Sequence, residues 1–139
     1  MKGELYINEK DAYTAWGVGM GSGFLSALDS FPPMKSYVEN DSRLEHGRRV
    51  ITDYARVDSR DVTLEFTIMG TGESDYRTKR KAFQQELQKG AVDIRVPALG
   101  SEVYHLVYTG KSASYALSLS RRFGRLSAKF TEPNPTDRT

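Results

Sequence analysis

From Asp61 to Ile68 the chain alternates strictly, with Val62, Leu64, Phe66 and Ile68 on one face and Thr63, Glu65 and Thr67 on the other. A period of two predicts a half-buried strand. Gly70 and Gly72 close it, and the period then changes. Tyr76, Phe83 and Leu87 fall on one helical stripe, which Arg80 completes through its aliphatic stem. This predicts one amphipathic helix over about 74–89, with Ser74 as N-cap, Glu73 and Asp75 at the positive end of the dipole, Lys89 at the negative end and Gly90 in the left-handed position beyond it. Burial of its three apolar side chains is worth about 1.5 to 3 kcal/mol each before entropy, so the helix must lie on a sheet.

Strand patterns resume after the helix. Val92, Ile94 and Val96 alternate with polar positions until Pro97. Residues 102–109 are partly apolar on both faces, which predicts a strand covered on both sides. Beyond Gly110, Tyr115, Leu117 and Leu119 alternate with serines. The turn Arg121-Arg122-Phe123-Gly124 follows, then Leu126, Ala128 and Phe130, so this region reads as a hairpin. Pro133 and Pro135 predict an exposed, mobile tail over about 132–139. Toward the N-terminus, Glu4–Ile7 suggests a short strand and 12–20 a helical turn or strand around Trp16.

Residues 21–48 hold no sustained period and exceed the ~12 to 15 residues of an ordinary structureless loop. Their apolar members Phe24, Leu25, Leu28, Phe31, Met34, Tyr37 and Val38 make a poor solvent-exposed linker. They are expected to dock on the parent domain or on a neighbouring copy. The chain reads as one domain, 1–139, with this loop or arm as its irregular element.

Composition narrows the chemistry. The 139 residues include no Cys, which excludes disulfides, thiolate catalysis and Cys-ligated zinc, and only two His. Mean hydropathy is −0.55 and no apolar run approaches the ~18 residues of a membrane span. Gly17-Val18-Gly19-Met20-Gly21 lacks the strand-to-helix setting of a phosphate loop. Glu45 and His46 form an incomplete hydrolase constellation, without a nucleophile or orienting partner, and His105 is a single imidazole inside a strand pattern. No catalytic, cofactor-binding or metal-binding residue is assigned, and no cofactor is expected.

Net charge is only +2, but residues 1–47 carry four basic against seven acidic side chains and residues 48–139 sixteen against eleven. Segments of opposite sign can steer head-to-tail contact between copies, but ordinary scatter of surface charge is the favoured reading of so small an asymmetry. A basic face is available from Arg77, Arg80 and Lys81 on the helix and Arg121, Arg122 and Arg125 on the last hairpin. The alternative function is therefore a nucleic-acid-binding module, with steeply salt-dependent affinity.

The element order, with Asp41-Ser42-Arg43-Leu44-Glu45-His46-Gly47, Arg60-Asp61-Val62-Thr63-Leu64-Glu65-Phe66 and Phe130-Thr131-Glu132-Pro133-Asn134-Pro135, resembles the ring-forming domain of phage distal tail proteins, the baseplate hub adaptors. More loosely, it resembles tail-tube proteins. The resemblance implies a mainly β (α+β) fold: a β-sandwich or partly open barrel of about eight strands with one packed helix. It also implies a structural, non-enzymatic subunit of a phage or prophage virion tail, assembled in the host cytoplasm. The expected partners are its own copies in a hexameric ring and other tail proteins (tube, hub or tape measure), with DNA only passing through the channel and no membrane span. Phe31, Pro33, Met34, Tyr37, Val38 and Arg43 are the candidate oligomer contacts.

Overall fold

A computed structural model of the chain describes residues 2–35, 38–40, 49–51 and 56–139. It contains a seven-stranded antiparallel sheet in the order β2-β1-β7-β8-β9-β6-β3 and a separate two-stranded pair, β4-β5. The main sheet is a half-barrel with its helices on one face. Its strands are β1 (Tyr6–Ile7), β2 (Lys10–Asp11), β3 (Val18–Met20), β6 (Arg60–Met69), β7 (Ala91–Arg95), β8 (Val103–Leu117) and β9 (Phe123–Glu132). The mainly β architecture with one long helix agrees with the sequence reading, and two five-residue helices, α1 (Ala12–Trp16) and α2 (Phe24–Leu28), join it.

The alternation of β6 decides the layering. Val62, Leu64, Phe66 and Ile68 are buried on the helix side, together with Val92 and Ile94 of β7, Tyr104 and Leu106 of β8, and Ala128 and Phe130 of β9. Residues of the other parity, Asp61, Thr63, Lys129 and Thr131 among them, form a polar outer face. The long helix α3 (Glu73–Leu87) lays Tyr76, Phe83 and Leu87 onto the apolar face. Phe66 is the centre of the packing, with ring centroids 5.3 Å from Phe24, 5.2 Å from Phe83 and 6.0 Å from Phe130, all edge-to-face. That geometry aligns ring edges with ring faces and adds to area burial.

Several boundaries differ from the sequence reading. The helix starts at Glu73, after Gly72, so Ser74 lies inside it and caps nothing. The Asp75 carboxylate instead accepts the Thr71 N–H at 2.9 Å and the Thr71 hydroxyl at 3.2 Å, which fixes the preceding turn. Gly110, which separates two runs in the sequence reading, sits with φ +78 inside a single fifteen-residue strand, whose pairing with β9 shifts register between Tyr108 and Ser112.

The described residues of 21–48 include regular elements. Their first third forms α2, whose Phe24 and Leu28 are fully buried against β6. Beyond Ser30 the described residues include antiparallel pairing. Met34 bridges Val57, and β4 (Val38–Asn40) pairs with β5 (Arg49–Ile51).

The tail beyond Glu132, expected to be mobile, folds back along β8. The Val103 N–H donates to the Arg138 carbonyl at 2.9 Å, and Arg138 reaches the buried Glu132 at 3.2 Å. Prolines end the β9 ladder but do not prevent such side-chain anchoring.

Candidate functional site: an assembly surface

The strongest chemical features of the surface are unpaired strand edges and exposed apolar side chains. At one end of β6 lies the base of the arm. The Arg60 guanidinium donates from Nη1 to the Ser30 carbonyl at 2.7 Å and from Nη2 to the Leu28 carbonyl at 2.7 Å, satisfying the carbonyl end of α2. Just beyond that anchor Phe31 is 95% exposed, and Pro33 and Met34 are exposed as well. Val38 lies on β4, while Tyr37 and Arg43 fall outside the described residues, as do Glu45 and His46.

On the helix side, α3 and the β8–β9 hairpin enclose a half-open groove of about 180 Å³ that extends from Ile68 back to Tyr108, which is in register with Phe130 and, through it, with Val62. It is lined by Ile68, Phe83, Leu87, Tyr108, Tyr115 and Leu126, with Arg80 at its rim. Tyr76 and Tyr115 share a hydroxyl hydrogen bond of 2.7 Å, and the Arg80 guanidinium lies 5.4 Å from the Tyr115 ring. Burial, reinforced by the bond to Tyr115, drives the Tyr76 phenol far above its ordinary pKa, so it is a neutral hydrogen-bonding group.

Strand β8 outruns its neighbour β7, whose pairing stops at Val107. Beyond Tyr108, β8 has no strand partner on that side among the described residues, while β9 pairs its other side. Leu119, in the turn that follows, is fully exposed. The sequence reading split β8 at Gly110 and so gave no sign of this overhang.

The structure places the basic candidates as follows. Arg77 and Arg121 border a shallow cleft with Leu117, and Lys81 and Arg122 are exposed. Arg80 is engaged with Tyr115, and Arg125, registered opposite Thr67, lies on the polar outer face. His105 bonds the Asp93 carboxylate at 2.9 Å through Nδ1 and the Thr139 carbonyl at 2.8 Å through Nε2. Among the described residues, no three His, Asp or Glu side chains gather to hold a metal ion, and no helix is long and apolar enough to cross a membrane.

No family model matches the chain, and no curated protein matches it. Among solved structures, it is similar to the crystal structure of SPP1 Dit (gp 19.1), described as a paradigm of the hub adsorption apparatus in phages infecting Gram-positive bacteria. The TM-score is 0.58 and the identity 14% over 95% of this chain. The chain spans half the length of that protein. At that identity the likeness is one of fold, and it places the architecture alongside that of a phage hub protein.

Proposed function

We propose that this chain is a structural component of a bacteriophage tail, a distal-tail or tube-like subunit without catalytic activity that acts by assembling with its own copies into a closed ring, hexameric as in the resembled family, around a channel through which DNA passes. The fold likeness to the phage hub protein, over 95% of the chain, is the observation that carries the reading. The surface supports it. Strand edges left open in a subunit are removed when sheets close into a barrel, and exposed apolar side chains gain burial at the same step. A ring requires two different complementary patches on each subunit, and the arm and the β8 overhang are two such patches. Other tail proteins, above and below the ring, are its further partners in the virion.

Mass measurement by light scattering on the purified chain tests this reading, with a closed oligomer as the expected result. Deleting residues 33–40 should leave a folded monomer by circular dichroism and abolish the oligomer. A chain that stays monomeric at high concentration and binds DNA with affinity falling steeply between about 50 and 200 mM salt would overturn it in favour of a nucleic-acid module.

A further inference from the structure

The groove between α3 and the β8–β9 hairpin has an apolar lining and walls of a single charge. Residues 76–84 of α3 hold Arg77, Lys79, Arg80 and Lys81 and no carboxylate. Residues 108–126 of the hairpin hold Lys111, Arg121, Arg122 and Arg125 and again no carboxylate. Glu73 and Asp75, in the first turn of α3, do not line the groove, and Asp75 is bonded to Thr71 and Lys79. Between these walls lie Ile68, Phe83, Leu87 and Leu126, with the rings of Tyr108 and Tyr115.

The polar groups at the rim are placed to donate. Arg80 Nη1 donates to the Gln84 side-chain carbonyl at 3.4 Å, which leaves the Gln84 NH2 group as a donor. The Arg80 guanidinium lies 5.4 Å from the Tyr115 ring, a contact that holds its planar fork beside the groove. The bond between the Tyr76 and Tyr115 hydroxyls uses one of their two hydrogens and leaves the other to donate. Such a rim matches a carboxylate, which accepts bidentate pairing from a guanidinium. The lining matches an aromatic ring. An apolar cavity of about 150 Å³ admits benzene, and the groove, at about 180 Å³, is of that order. A nucleic acid would also meet the cations, but its bases carry polar edges that Ile68, Phe83, Leu87 and Leu126 would leave unpaired.

We infer that this groove is a docking site for an acidic segment of another protein, which seats one aromatic side chain in the groove and sets its neighbouring carboxylates against Arg80 and the basic walls. The inference goes beyond the self-assembly proposed above and stands on the groove's own chemistry. Charge complementarity steers the encounter, and burial of the ring holds it.

The probe is a fluorescently labelled glycine-serine peptide carrying one phenylalanine between two aspartates, and anisotropy reads its binding to the purified chain. Its controls are the same peptide with serine for phenylalanine, the same peptide with lysines for the aspartates, and a labelled oligothymidine. The phenylalanine peptide should bind at least about tenfold more tightly than either peptide control. Arg80→Gln should weaken it about tenfold, whereas Lys129→Gln, which removes the same charge from the polar outer face, should leave it unchanged. Equal binding of the phenylalanine and serine peptides, equal losses in the two variants, or no saturable binding below about 1 mM would overturn the assignment. Tighter binding of the oligothymidine, weakened by Arg80→Gln, would overturn it in favour of nucleic acid. Light scattering on the same samples reads the oligomeric state separately. An empty groove in a closed oligomer therefore overturns this inference and leaves the ring standing, and a monomer that binds the peptide does the reverse.

Discussion

Arg60 and Glu132 are directly opposed partners at the end of the β6–β9 ladder, with Arg60 Nε 2.5 Å from Glu132 Oε1 and the two side chains 3% and 0% exposed. Arg138 brings a second guanidinium to the same carboxylate, at 3.2 Å from each oxygen. Both guanidinium groups lie against the Tyr104 ring, at 5.8 and 4.7 Å. One buried carboxylate thus ties together the end of α2, the sheet and the C-terminal tail.

Removing that carboxylate leaves the buried Arg60 charge uncompensated. Glu132→Ala should cost about 3 to 5 kcal/mol, the range for breaking one partner of a buried pair. A melting temperature lower by roughly 10 °C or more is the expected reading in thermal unfolding followed by circular dichroism. Lys79→Ala, which breaks the exposed Asp75–Lys79 pair, should leave the melting temperature unchanged. Equal behaviour of the two variants would show that the buried network contributes nothing.

A second prediction concerns close packing. A Cβ built on Gly124 would stand 2.0 Å from the Tyr76 hydroxyl oxygen, and Tyr76 is fully buried. Gly124→Ala should therefore destabilise by about 1 to 3 kcal/mol, as overpacking does. Tyr76→Phe removes the obstructing atom, so the double variant should lose less than the sum of the singles. Denaturant titration of the four proteins measures that coupling, and strict additivity would refute the contact.

Strand and helix identities were legible wherever the pattern was regular. The alternation of Val62, Leu64, Phe66 and Ile68 and the stripe of Tyr76, Phe83 and Leu87 both reappear as buried positions. Phe24 and Leu28 dock on the parent domain, one of the two places expected for the apolar members of 21–48, but the helix that carries them was not legible, because five residues are too few to display a period and it is held by packing on β6. The anchoring of the tail was not legible for a different reason. Prolines speak only of the backbone, whereas its position is set by Arg138, whose partner Glu132 belongs to the end of another element. The groove was invisible in the sequence, since it arises where helix and hairpin diverge, from residues spread between Ile68 and Leu126.

The fully exposed Leu119 makes a third prediction, because a surface apolar side chain contributes little to the stability of the isolated fold. Leu119→Ser should keep the monomer's unfolding free energy within about 0.5 kcal/mol of the parent's. If the hairpin tip is covered in the assembly, the same change should shift the concentration at which oligomers form. Sedimentation velocity across a dilution series reads both states. A stability loss comparable to that of Glu132→Ala would place Leu119 in the core instead.

The last prediction follows from His105, which joins β8 to β7 through Asp93 and to the end of the tail through the Thr139 carbonyl. The bond to Asp93 and then the bond to Thr139 raise its pKa above the ordinary 6.5, because both favour the protonated ring. A group whose pKa is raised on folding contributes fully below its unfolded value and loses that contribution as pH climbs through the folded value. Tail docking should therefore be firmest in mild acid, near pH 6, and should loosen as the pH passes upward beyond about 6.5. The Val103 amide, whose proton is held by the Arg138 carbonyl, is a local reporter. Its hydrogen-exchange protection, corrected for the intrinsic pH dependence of exchange, should fall across that window in the parent protein and stay flat in His105→Gln. A decline of equal size in both would show that the tail is held by Arg138 and Glu132 alone, with the imidazole a bystander.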